Sequence, residues 1–195
     1  MPLALFFGVQ SVPTGLGGVA IRTVTEARCT PPWVLGAKRP ATHAYVAWTH
    51  GDGVHYRVDA EGLLGPNAGV KIALWPGVWA PPASGEPPTA HWQFVGMEAD
   101  ATRAVAKALS LVGRAYDPLE LVAQALPGPL GAVLANAEFA RGLICTHVAT
   151  EVMGELGAPA KALVAGLPNR IPENLAQAME MVDGRGDAGR WLVRV

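Results

Sequence analysis

Apolar positions along the chain change period several times, and each change marks an element. Leu3 to Gln10 is nearly continuous in apolar residues and reads as a buried strand, followed by a Pro-Thr-Gly-Leu-Gly-Gly turn. Val19 to Glu26 predicts a short helix, which Thr30-Pro31-Pro32 ends. His43 to Thr49 is aromatic and β-rich, Gly51-Asp52-Gly53 supplies a turn, and Val54 to Val58 returns; together they predict a β-hairpin. Lys71 to Trp75 and Trp92 to Val95 predict further strands. Between them Pro76 to Pro88 holds five prolines and two glycines and predicts an irregular loop. Trp75 and Trp79 flank its start as packing anchors or a ligand platform.

Helical spacing then takes over. Ala99 to Val112 places Ala101, Val105, Ala108, Leu109 and Val112 on one face, with Gly113 at its end. Asp117-Pro118-Leu119-Glu120 matches a capping box, which is a sufficient account of Asp117. Ala132 to Arg141 predicts another helix. Cys145, Val148, Val152 and Leu156 mark one that stops at Gly157 and Pro159, and Pro172-Glu173-Asn174 opens one more. Trp191 to Val195 alternates and predicts a closing strand. The pattern is α+β, with no internal repeat or interdomain linker, so residues 1–195 are expected to form one domain.

The chemistry concentrates at Cys145. A cysteine in the first turn of a helix feels the positive end of the macrodipole, which favours the thiolate; the alternative is a small buried hydrophobe. His43 and His55 lie on the two arms of the hairpin, 12 positions apart. Bent near Gly51, the hairpin is expected to bring both to the end away from the turn. A thiolate facing two such imidazoles is a nucleophile, base and orienter set. Zinc bound by His43, His55 and Cys145 is the competing use of these residues, but the close ligand spacing of common metal motifs is absent. His50 is expected to be solvated at the turn. His147, two residues past Cys145, points to another side of its helix. Tyr116 is a candidate to reach the cleft with its hydroxyl. Gly15-Leu16-Gly17-Gly18 lacks the Lys-Ser/Thr of a phosphate loop.

Three of these segments resemble a known family. His43-Ala-Tyr-Val-Ala-Trp with Gly53-Val-His55 is similar to the catalytic hairpin of NlpC-type cysteine peptidases. Gly113-Arg-Ala-Tyr116-Asp117 resembles that family's Gly-X-X-Tyr-Asp, and Leu-Ile-Cys145-Thr its nucleophile helix. With histidine before cysteine, the chain looks like a circularly permuted member of this papain-like branch, over roughly residues 16 to 175. The resemblance implies a papain-like α+β fold and a Cys145–His43–His55 triad that cleaves an amide or related acyl bond. Its leading substrate is a peptidoglycan stem peptide. Acyl transfer or thioester and lipid-ester hydrolysis, and a non-catalytic structural module such as one within a phage particle, are the other readings. Two departures bear on specificity: His147 stands where permuted members often carry Glu, and Ala44-Tyr45 replaces Val-Gly. The latter is expected to narrow the pocket beside the thiol, and Tyr45, with Tyr116 through its hydroxyl, is a candidate substrate-binding residue.

Composition narrows the class further. With 195 residues, half of them hydrophobic, the chain can bury a core without metal or disulfide staples. A net charge of −1 and the lack of Lys/Arg clusters argue against a nucleic-acid surface. No cofactor is expected. Of the two cysteines, Cys29 is expected to be a bystander and Cys145 free. The apolar start is short and lacks a basic region, so no secretory signal is expected, and no run reaches the length of a membrane span. The expectation is synthesis in the cytoplasm, with a phage particle, lysis or an injection system giving access to the cell wall.

Overall fold

A computed structural model describes residues 3–12, 16–36, 39–61, 68–77, 88–117, 144–185 and 189–195. Six strands form one antiparallel sheet: β1 (Ala4–Gln10), β2 (His43–Thr49), β3 (His55–Glu61), β4 (Gly69–Leu74), β5 (Thr89–Phe94) and β6 (Leu192–Arg194). Their order is β4-β3-β2-β1-β5-β6, so the hairpin sits beside the central strand β1. The described residues also form five α-helices: α1 (Leu16–Arg28), α2 (Glu98–Leu111), α3 (Cys145–Met153), α4 (Ala158–Ala165) and α5 (Pro172–Asp183). The fold is α+β.

Strand alternation divides the buried residues between two faces. Leu5, Phe7 and Val9 of β1, with Ala44, Val46 and Trp48 of β2, belong to the main core. Against them pack Ala101, Ala104, Ala108 and Leu111 of α2, Val148 and Val152 of α3, and Leu175, Met179 and Val182 of α5. The opposite parity, Phe6, Tyr45 and Ala47, forms a second cluster with Trp75. Both faces of the central strands are therefore buried, which explains why β1 reads as a continuous apolar run rather than an alternating one.

Several sequence expectations shift. The helix expected over residues 19–26 extends to Leu16–Arg28, and the return arm of the hairpin continues past Val58 to Glu61. On α2 the buried stripe is Ala101, Ala104, Ala108 and Leu111, whereas Leu109, expected in that stripe, is exposed. Small alanines let the helix approach the sheet closely, and this outweighs the burial a leucine would gain. Gly157 does end the α3 region, with φ of 101°, but Pro159 lies in the first turn of α4, a helix the pattern did not suggest. The region of Ala132 to Arg141, Pro118 to Glu120 of the capping box, Trp79 and most of the Pro76 to Pro88 loop lie outside the described residues. No described helix is long and apolar enough to cross a membrane.

Candidate active site

Cys145 is the first residue of α3, after Ile144 in extended conformation. A backbone N–H at the first helical position has no acceptor within its own helix, and the macrodipole adds positive potential there. Cys145 is buried, yet its pKa is lowered. Burial pushes the thiol up, but the charge and hydrogen bond of His43 outweigh it, helped by the Ala44 N–H and the Thr146 hydroxyl. The other cysteine, whose shift has no imidazole among its causes, goes the opposite way. Cys29 is pushed up to about 11 by burial and then by the nearby Glu173 carboxyl. Both cysteines are free thiols.

His43 opens β2, opposite Gln10 of β1. Its Nε2 lies 3.1 Å from Asp59 Oδ2, so Nδ1 is the ring nitrogen not engaged by the carboxylate. Burial alone would lower the imidazole. The Cys145 thiolate, the hydrogen bonds of Asp59 and Cys145, and the Asp59 charge together raise it to about 9. Cys145 lowered and His43 raised is the signature of a thiolate–imidazolium pair. Asp59, itself almost fully buried, is held down despite burial by His43 and then Arg57. Arg57 donates from Nε to Asp59 Oδ2 at 2.6 Å, and its Nη2 reaches the same oxygen.

The third member of the site is thus Asp59, and the expectation for His55 is corrected. Val46 faces Val58 and Thr49 faces His55, so His55 lies beside the turn, not away from it. Thr49 is six positions along β2 from His43, about 20 Å along the strand. His55 Nδ1 instead bonds the Thr49 hydroxyl at 2.8 Å, and its ring meets Trp75 edge-on. The same register puts Tyr45 opposite Asp59, so Asp59 lies diagonally across from His43 on the same face. The hairpin turn fixes this register. Counting back from it would have found Asp59, an acid inside the alternating Tyr56-Arg57-Val58-Asp59-Ala60.

Tyr45 does not open onto a substrate cleft. It is buried, lies across Gly8 of β1, and its hydroxyl is 2.5 Å from His91 Nε2 on β5. Gly8 pairs with both Tyr45 and His91, and a Cβ there would sit 2.2 Å from the tyrosine ring. Glycine is required for this crossing. Arg57 stacks on the Tyr45 ring with its guanidinium carbon 4.0 Å from the centroid, so Tyr45 supports the arginine that holds Asp59. His91 is kept neutral, at about 4, by burial and then by Arg57.

Tyr116 does meet the site. With Ile21, Val24, Ile144, Ile171 and Pro172 it walls a small pocket that Cys145, Thr146 and Arg170 also border, and the surface presented is carbon. Burial raises the Tyr116 phenol, followed by the Cys145 and Asp117 charges. His147, two residues further along α3, is lowered to about 4 by burial and then by Arg170. His50 is exposed at the turn beside Asp52. Among the described residues no group of three or more His, Cys, Asp or Glu is placed to hold a metal ion.

Compared with family models, curated proteins and solved structures, the chain matches none. The reading of the site therefore stands on its geometry and on the sequence motifs.

Proposed function

We propose that the protein is a cysteine hydrolase of papain-like, permuted NlpC type that cleaves an amide bond with a Cys145–His43–Asp59 triad. One observation carries this reading: a buried thiol at a helix start has its pKa lowered chiefly by an imidazole whose Nε2 is held by a buried carboxylate. A cysteine that only filled space would resemble Cys29, with its pKa raised.

In the proposed reaction Cys145 Sγ attacks the carbonyl carbon, and the developing oxyanion is met by the N–H of Cys145. The C–N bond breaks, and the amine leaves with the proton of His43. Water then attacks the thioester, giving a proton to His43, and the acid and the thiolate are released. Asp59 orients the imidazole and stabilises its charged form. The motif resemblance supports a peptide substrate with small residues, of which a peptidoglycan stem peptide is the leading case, reached from a phage particle or by another delivery route.

The test has two parts. Brief iodoacetamide treatment, well below the ordinary thiol value of 9.0, is expected to alkylate Cys145 and spare Cys29. Peptide mapping reads the outcome. Cys145→Ala and His43→Ala are each expected to abolish stem-peptide turnover, because nucleophile and base act as a unit. Equal labelling of both cysteines, or unchanged turnover in Cys145→Ala, would overturn the reading.

A further inference from the structure

The pocket beside Cys145 carries a statement about substrate, resting on the cysteine-hydrolase reading. Its walls are Ile21 and Val24 of α1, Tyr116, Ile144, Ile171 and Pro172, and neither His43 nor Asp59 borders it. The proton for the leaving group comes from His43. A pocket that Cys145 lines and His43 does not border is therefore assigned to the acyl side of the scissile bond. It has room for about one water-sized sphere. A water in that space needs two to four polar partners, and the wall offers carbon. A methyl group has the matching size and polarity.

We propose that this pocket takes a single methyl-sized substituent on the acyl group, so that the substrates are amides or esters of alanyl- or acetyl-type acids and not of long acyl chains. Ile21 and Val24 are the branched aliphatic walls that α1 contributes. Extra methylenes meet these side chains, and a pocket discriminates by about tenfold or more for each misfit methylene.

The p-nitrophenyl esters of acetate, butyrate and octanoate test this on the full chain. The Cys145 thiolate attacks the ester carbonyl, the C–O bond breaks, p-nitrophenolate leaves with the bonding electron pair, and the acyl group remains on sulfur as a thioester. Nitrophenolate absorbance gives the rate and mass spectrometry the site, each rate being divided by that of the same ester with a small free thiol. Acetate is expected to react at least about tenfold faster than butyrate, with octanoate slower still. Ile21→Ala, or Val24→Ala should the first fail to fold, is expected to raise butyrate relative to acetate by about tenfold. A flat or rising series in the wild type overturns the pocket assignment and leaves the hydrolase reading intact. So does a deeper pocket with unchanged preference. Acylation by none of the esters while iodoacetamide still alkylates Cys145 overturns the pocket assignment as well. A Cys145 inert to both reagents removes both readings.

Discussion

At the scale of single residues, the site is a line of alternating charge: Arg57, Asp59, His43 and Cys145. Each charge is stabilised by its neighbours against burial, so removing one shifts the rest in a defined direction. Asp59→Asn removes the carboxylate that helps hold His43 at about 9. The sign follows directly. The thiolate–imidazolium form exists above the lowered Cys145 pKa and is lost as pH rises through that of His43, so the alkaline limb of activity moves to lower pH in Asp59→Asn. Turnover is expected to fall by about 10²-fold or more. His55→Ala, at the other end of the hairpin, is expected to leave the alkaline limb where it was. A pH–rate profile of the two variants separates them, and an unmoved limb in Asp59→Asn would remove the carboxylate from the triad.

Among the elements, α5 holds the segment that leads into β2. Glu173, fully buried in its first turn, accepts the backbone N–H of Val34 at 2.8 Å and of Ala41 at 2.6 Å. Ala41 lies two residues before His43, so this carboxyl fixes the approach of the chain to β2. Glu173→Ala would strand two N–H donors and is expected to cost about 2–5 kcal/mol in urea unfolding. A loss under about 1 kcal/mol would show that the segment is held by other contacts. Nothing in Pro172-Glu173-Asn174 announces this role, because a glutamate in a first helical turn is already explained by the macrodipole. The elements that were legible, β1, the hairpin and the Cys145 helix, are those where the apolar period and the turn residues agree. Asp59 was less legible than the histidines because an acid inside an alternating strand reads as a solvated position, although the register counted from the turn places it diagonally across from His43. The buried stripe of α2 and the existence of α4 depend on alanines, whose burial is set by what packs on them and not by their own hydrophobicity.

For the whole molecule, Cys145 and His43 come from distant parts of the chain, one from α3 and the other from the hairpin. The lowered pKa of Cys145 is thus a property of the assembled fold. In the unfolded chain the thiol returns toward its ordinary value of 9.0. The rate of Cys145 alkylation in mildly acidic buffer is expected to collapse with urea at the same midpoint as the circular dichroism signal, while Cys29 becomes reactive only on unfolding and at higher pH. A thiol that loses its reactivity well before the global transition would show that α3 undocks from the hairpin on its own. The pairing also has a consequence for timing within the proposed cycle. Part of the proton affinity of His43 is lent by the sulfur anion. Once the sulfur is acylated it is neutral, the loan is withdrawn, and the imidazole releases its proton more readily at the moment the departing amine needs one. The same imidazole, now less basic and uncharged, is ready to accept a proton from water. Restoring the thiolate at the end of the cycle recharges it, so the bond made and broken at Cys145 sets the acid or base identity of its neighbour.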